Sequence, residues 1–190
     1  YYASYKNIIP HKLGYAGIPI DTNSLKPHYI ENEPSKVRFF IGIQKDRTIL
    51  KGTDRLLEAL KRVCEQYPDQ CEMLVAENVP YKEYVQMMNN SHVILDQIYS
   101  YTPATNALIA MAQGLVAVSG AEPEFYDFIG ETENKPIINV SPLIENDIYN
   151  KLEWIVKNKH ELPRISRMSR EFVVKHNDSH LVAQRHIDFW

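Results

Sequence analysis

Short apolar runs alternate with amphipathic segments along most of the chain. Runs of β-branched and aromatic residues bounded by turn residues predict buried strands. Such runs occur at 37–43, 71–77, 92–97, 115–119 and 136–140. Their nearly continuous apolar character is typical of strands that are covered on both faces of a sheet.

Apolar residues at helical spacing fill the intervals between the predicted strands. The clearest case is 51–69, where Leu56, Leu60 and Val63 recur on one face and Thr53 is a candidate N-cap. The same spacing predicts further helices at 81–91, 105–114, 144–158, 163–176 and 179–189.

Strands that alternate with helices in this way indicate βαβ units. The predicted fold class is therefore α/β: a Rossmann-like parallel sheet of about five or six strands, with helices on both faces. Ligands bind such sheets outside the carboxyl ends of the strands. The candidate chemistry should consequently lie in the loops after the strands.

The chain divides at its polar segment 21–36, which contains two prolines and is typical of a linker. We predict an interdomain segment and the remnant of an N-terminal domain at 1–34, followed by one domain at 35–190. The chain starts without Met, and we expect it to be a piece of a longer protein. The last helix should not complete the core alone, which would leave Leu181 and Phe189 exposed.

Composition excludes several classes of protein. The chain has 190 residues, 44% of them hydrophobic, and a net charge of −3, which argues against a nucleic-acid-binding module. No apolar run approaches the roughly 18 residues of a membrane span. Cys64 and Cys71 are the only cysteines. A disulfide framework is thus not expected, and a cytoplasmic location fits better, including a peripheral position at the inner membrane face.

The spacing of two histidines raises the question of a metal site. His176 and His180 lie four residues apart, but the residues between them, Asn177 to Ser179, predict a break in the helix. A solvated pair on the surface is the favoured interpretation, so no metal site is predicted.

Three basic residues follow the first predicted strand: Lys45, Arg47 and Lys51, directly before Gly52. Gly52 opens the next helix, whose free N–H groups and dipole favour an anion. Cations converging there would suit a diphosphate. A solvated basic loop is the alternative.

Two further loops should reach the same edge of the sheet. Ala104, Thr105 and Asn106 have small side chains at a helix start, so an anion could approach the backbone N–H groups, although an ordinary N-cap is the alternative. Glu122 and Glu124 form an acidic turn after the fourth strand. Their carboxylates could accept sugar hydroxyls or stabilise the next helix start.

Several stretches resemble one family of enzymes. They are "IGIQKDRTILKGTDRLLEALKRVCEQYPD", "AMAQG", "SGAEPE" and "SREFVVKHNDSHLVAQRHIDF". These are similar to the C-terminal, nucleotide-sugar-binding half of GT-B glycosyltransferases, nearest to the glycogen-synthase-like and mannosyltransferase-like group. "AGIPIDTNSLKP" resembles the interdomain segment before that half. The resemblance implies that 35–190 bind a nucleotide-diphosphate sugar as substrate, without cofactor or metal, beside an N-terminal acceptor-binding domain of the same chain.

The resemblance also implies roles for individual residues. Arg47 and Lys51 would bind the donor diphosphate, together with the turn that carries Thr105 and Asn106. Groups near the sugar, ribose or base would be Gly42, Glu77, Asn78, Tyr101, Ala104, Glu122 and Glu124.

The sequence departs from the family in three places. Ile43 stands where a basic residue usually follows the glycine, so that Arg47 is a displaced substitute, and the loop 77–80 lacks the usual glycines. The family often has two glutamates eight residues apart, one near the sugar and one near the ribose, and the matching positions are Tyr101 and Ile109. A non-catalytic binding or scaffold module is therefore one alternative to a transferase. A sugar-nucleotide epimerase is another, and a nicotinamide-binding domain is weaker because the chain has no GxGxxG.

Overall fold

The structure is a computed structural model that describes residues 7–8 and 14–190. All strands in these ranges form one parallel sheet of five strands in the order β2-β1-β3-β4-β5. They are β1 (Val37–Ile43), β2 (Cys71–Glu77), β3 (Val93–Leu95), β4 (Val116–Ser119) and β5 (Ile138–Asn139). The predicted α/β class and parallel sheet are confirmed.

Helices cover both faces of this sheet. The α-helices are α1 (Thr48–Lys51), α2 (Thr53–Gln66), α3 (Tyr81–Asn89), α4 (Thr105–Ala112), α5 (Pro123–Ile129), α6 (Asp147–Lys157), α7 (Leu162–Asn177) and α8 (Ser179–Phe189). Short 3-10 helices occupy Lys45–Arg47 and Lys159–Glu161. None of the helices in the described ranges has the length and apolarity needed to cross a membrane.

The pleat of the central strands separates two apolar cores. Phe39 and Ile41 of β1 pack with α2 and α6 on one face, whereas Phe40 packs with α4 and α7 on the other. Fully buried side chains such as Leu56 and Phe172 complete the two layers. Both faces are therefore closed, and a ligand can reach the sheet only at its edges or at the strand ends.

The junction of α1 and α2 differs from the prediction. Gly52, not Thr53, is the N-cap of α2, and Thr53 is its buried first residue. Gly52 adopts a left-handed conformation with φ of 71°, and a Cβ atom there would lie 2.4 Å from Cγ1 of Ile98. Only glycine allows both the left-handed φ and the close approach of Ile98. The chain can therefore turn sharply at the point where the loops after β1 and β3 meet.

The polar segment before β1 lies against the domain. The N–H of Ile20 bonds to the carbonyl of Asn177, and the N–H of His28 bonds to that of Gln113, each over 2.8 Å. Arg170 donates to backbone carbonyls on both sides of this contact. Residues 14–34 of the predicted segment 1–34 are thus attached by hydrogen bonds, and most of residues 1–13 lie outside the described residues.

Two details of the carboxyl-terminal half complete the fold. The predicted acidic turn is wrong in part, because α5 begins at Pro123, a residue suited to a first helical turn. The prediction for α8 is confirmed: Leu181 and Phe189 are each 44% exposed, and Val182 is the one buried residue of this helix.

Candidate functional site

A cavity of about 600 Å³ opens at the carboxyl ends of β1 and β2. Its lining combines cations, amides, aromatic rings and backbone: Gly42, Ile43, Gln44, Lys45, Asp46, Arg47, Lys51, Ala76, Asn78, Val79, Tyr81, Tyr84 and Asn106. Such a concave site with a few convergent polar groups is where a parallel sheet binds its ligands.

Five of the predicted site residues line this cavity: Gly42, Arg47, Lys51, Asn78 and Asn106. They come from three separate parts of the chain: the end of β1 with the short helices after it, the residue after β2, and the first turn of α4. Only folding brings them together. The remaining predicted residues lie outside the lining: Glu77, Tyr101, Ala104, Thr105, Glu122 and Glu124.

The floor of the cavity is formed where Gly42 meets Tyr84. A Cβ atom at Gly42 would lie 2.8 Å from Cε2 of Tyr84, so the absence of a side chain lets the ring cross the end of β1. The ring also makes an edge-on contact with Phe40, with 5.0 Å between centroids. Burial, with the nearby Asp96 carboxylate, raises the pKa of Tyr84 to about 12. The phenol is therefore a hydrogen-bond donor at neutral pH. The sequence pattern places Tyr84 on the inner face of the helix predicted at 81–91 but did not identify it as a site residue.

The two lysines that line the cavity differ in their exposure and in their acidic partners. Lys45 is exposed, and its Nζ lies 3.6 Å from Glu77 Oε1, a surface pair that contributes little stability. Lys51 ends α1, its side chain is only 15% exposed, and its Nζ lies 4.0 Å from Oδ1 of Asp96. The alternative of a solvated basic loop is consequently wrong for Lys51, whose side chain is largely buried against a carboxylate.

Asp96 is the functional candidate that sequence reasoning missed. It directly follows the buried strand β3, and its side chain is 3% exposed. Its Oδ2 is buried without a hydrogen-bond partner. Burial raises the pKa of Asp96, while the Lys51 ammonium and the backbone N–H groups of Ala104 and Ala107 oppose that rise. The sequence feature that could have identified Asp96 is a charged residue at the carboxyl end of an apolar run.

Only part of the predicted anion-binding turn before α4 lines the cavity. Asn106 reaches the cavity, but Thr105 is exposed outside it and no side chain caps the helix. The N–H groups of Ala104 and Ala107 already face the Asp96 carboxylate. The protein therefore places its own acid at this helix start.

The acidic candidates lie away from the cavity. Glu122 is the N-cap of α5, and Glu124 is an exposed residue of its first turn. These positions fit the alternative of charges that stabilise a helix start. Tyr101 is 72% exposed, and Ile109 packs against the apolar cluster between the sheet and α7.

The two histidines do not form a solvated pair on the surface. The described residues contain no cluster of three potential metal ligands. His176 Nε2 and Glu131 Oε2 share a hydrogen bond of 2.7 Å, and the His176 side chain is mostly buried. The interpretation as a solvated pair is wrong for His176, because the loop after α5 folds back onto α7. The two cysteines are free, with 3.8 Å between their sulfur atoms.

Comparison with solved structures identifies the fold. The chain is similar to the C-terminal domain of a group 1 family glycosyl transferase, LpcC, from Francisella tularensis, with a TM-score of 0.57 and 19% identity over 82% of this chain and 97% of that one. HepE from Anabaena, solved with UDP and glucose, gives a TM-score of 0.62 at 12% identity over 90% of this chain and 54% of its own. Sucrose-phosphate synthase from Thermosynechococcus elongatus gives 0.62 at 11% identity over 98% and 54%.

These likenesses establish a Rossmann-like α/β fold of the kind found in the C-terminal domains of GT-B glycosyltransferases, as the sequence resemblance implied. The chain spans about half the length of HepE and of sucrose-phosphate synthase. No protein-family model and no curated protein sequence matches it.

Proposed function

We propose that this domain binds a nucleotide-diphosphate sugar in the cavity beside β1 and serves as the donor-binding half of a metal-independent glycosyltransferase. One observation carries the proposal: three cations, Lys45, Arg47 and Lys51, line a single cavity at the carboxyl ends of parallel strands. A diphosphate is the part of such a donor that matches this charge.

The neighbours support the proposal by analogy. HepE was crystallised with UDP and glucose, and its fold is shared here. In a transferase without metal, Lys51 and Arg47 would stabilise the departing diphosphate, since a preorganised cation can act where a metal would otherwise stand. The amides of Asn78 and Asn106 would orient the remainder of the donor.

Catalysis would require an acceptor-binding domain on the other side of the cavity. The exposed apolar side chains of α8, Leu181 and Phe189, are consistent with a surface that another part of the protein covers. We therefore propose that this domain alone binds the donor without transferring its sugar, and that the whole protein acts in the cytoplasm or at the inner membrane face.

A binding module without transferase activity is the second candidate. The observation that favours it is the pair Tyr101 and Ile109, which stand where the family often has glutamates; Ile109 is engaged in the apolar core. An epimerase is disfavoured because the cavity lining has no histidine and Asp46 as its one carboxylate, which limits acid–base chemistry.

A ligand panel followed by an activity assay tests these candidates. The full-length protein is screened by thermal shift and calorimetry with UDP-, GDP- and ADP-sugars, with and without EDTA. A donor that binds in EDTA and whose sugar reaches an acceptor supports the transferase. Binding without transfer favours the scaffold. Absence of binding by every donor would contradict both.

A further inference from the structure

Asp96 is not part of the cavity lining, but it contacts Lys51, which is. Lys51 approaches from α1, with Nζ 4.0 Å from Oδ1. The start of α4 approaches from the other side, with the N–H groups of Ala104 and Ala107 facing the carboxylate. Backbone bonds hold this arrangement: Asp96 N–H donates to Val118, and Ile98 N–H donates to the carbonyl of Lys51. The acid therefore touches both elements that would hold a diphosphate.

The carboxylate of Asp96 is incompletely satisfied. Its Oδ2 has no partner although it is fully buried, and Lys51 lies at the outer limit of an ion pair. Buried polar groups are normally hydrogen-bonded, and a buried charge needs a strong counter-charge. Two titratable groups face Asp96: the Lys51 ammonium from α1, and the Tyr84 phenol from α3. The charge on Asp96 thus depends on one lysine and on the N–H groups at the start of α4.

We propose that Asp96 is a positioning residue that holds Lys51 in the wall of the cavity in the empty protein and takes up a proton when a diphosphate binds. The proposal rests on the function proposed above, because it concerns the same cavity. No covalent bond of the ligand changes. One proton passes from solvent to the carboxylate of Asp96, and the freed ammonium of Lys51 turns its charge towards the phosphates.

The physical reason is that the diphosphate and the Asp96 carboxylate compete for the same cation and the same helix N-terminus. A bound diphosphate brings negative charge close to Lys51 and to the N-terminus of α4, both of which stabilise ionised Asp96 in the empty protein. The added charge repels the carboxylate and removes part of its compensation. Protonation then relieves both penalties, since a neutral acid is far less costly to bury.

Calorimetry on the full-length protein measures this proton directly. The probes are UDP-glucose and GDP-mannose, titrated at each pH from 5.5 to 8 in two buffers with different ionisation enthalpies. Because a nucleotide sugar has no free terminal phosphate, its own diphosphate does not titrate in this range. For the parent protein we expect net proton uptake, approaching one per ligand, and an affinity that falls up to about ten-fold per pH unit where uptake is complete.

Two isosteric variants distinguish the proposal from a general effect of charge. Asp96→Asn cannot take up the proton, so we expect uptake to vanish and the affinity to become nearly independent of pH. Asp46→Asn is the matched control, because Asp46 is an exposed acid in the same lining, and we expect it to retain the parental uptake. Thermal unfolding establishes that each variant is folded.

The outcomes separate the two proposals. If the probes bind to the parent without proton uptake, or if Asp96→Asn retains the uptake, this inference is overturned while the binding function stands. If neither probe nor any other donor binds, both are overturned. Should Asp96→Asn fail to fold, the carboxyl carbon resonance of Asp96 in the labelled parent protein decides: a shift to the protonated form on adding probe supports the proposal, and an unchanged resonance contradicts it.

Discussion

Two acids are almost completely buried in this domain, and their surroundings are opposite. The Glu131 side chain is 1% exposed and receives Lys175 Nζ and His176 Nε2 at 2.7 Å, together with the backbone N–H groups of Glu133 and Asn134. Asp96 is nearly as buried, but it has one cation at 4.0 Å and an oxygen without a partner. Their burial is similar, whereas their hydrogen-bond donors differ.

This difference in hydrogen-bond donors determines whether the ionised or the neutral form of each acid is stabilised. Burial alone would raise the pKa of Glu131, yet its donors, Lys175 foremost, hold that pKa well below the usual range. Burial raises the pKa of Asp96 because Lys51 and two N–H groups do not compensate it fully. The first acid has a lowered pKa and joins the loop after α5 to α7. The second has a raised pKa and contacts Lys51 of the candidate ligand site.

Removal of Glu131 should have the largest effect. Glu131→Ala leaves two backbone N–H groups and His176 without their acceptor, so we expect the free energy of unfolding to fall by about 3–5 kcal/mol in urea denaturation. Glu133→Ala, a change at an exposed neighbour, should stay within about 0.5 kcal/mol. A loss below about 1 kcal/mol for Glu131→Ala would mean that this network does not stabilise the fold.

Removal of Lys51 should affect ligand binding most directly. Lys51→Ala deletes a charge-assisted contact, so we expect the affinity for UDP or GDP, measured by calorimetry, to fall about ten-fold or more. It should also lower stability by isolating buried Asp96, and Asp96→Asn in the same chain should restore stability but not affinity. An affinity equal to that of the parent protein would show that this loop is not the phosphate site.

The two acids should give opposite dependences of stability on pH. The stabilisation from Glu131 is present above its unfolded pKa of about 4.3 and is lost as the pH falls, because its folded pKa is lowered. Asp96 has a raised folded pKa, so its contribution is best in acid and is lost as the pH rises through that pKa.

Denaturation of the parent protein, Glu131→Gln and Asp96→Asn between pH 3.5 and 8 measures these slopes. The advantage of the parent over Glu131→Gln should grow with pH, and its advantage over Asp96→Asn should shrink. Parallel curves for the two variants would refute the distinction between the acids.

The smallest effect is expected at the outer partner of Glu131. Lys175 is 59% exposed, so solvent screens its pair with the acid. We expect Lys175→Met to reduce the free energy of unfolding by about 0.2–1 kcal/mol, with the difference from the parent decreasing in 1 M salt. A salt-independent loss above about 2 kcal/mol would show that Lys175 contributes as a buried partner does.

Local patterns predicted most of the fold. The bounds of β1 and β2 agree with the apolar runs at 37–43 and 71–77, and α8 occupies 179–189 as predicted. The failures also have local causes. The chain between β1 and α2 was interpreted as a loop, although it contains a 3-10 helix and the four-residue α1, which are too short to show a hydrophobic period.

The candidate site was predicted less completely. Gly42, Arg47, Lys51, Asn78 and Asn106 do converge, because the ends of parallel strands meet at one edge. Their proposed contacts with a ligand stay predictions. Residues that reach the cavity from a helix face rather than from a strand end, such as Tyr84, had no signal that separates them from ordinary core residues.

The sequence by itself determined the order and type of the elements and the cations at one strand end, because hydrophobic period and turn residues act over a few positions. Only the tertiary structure decided which charges meet. Asp96 contacts Lys51, and Glu131 contacts Lys175 at a separation of 44 residues in the sequence. Both contacts arise from the packing of separate parts of the chain. The ionisation of a buried acid depends on the donors that packing supplies, and no local pattern in the chain encodes them.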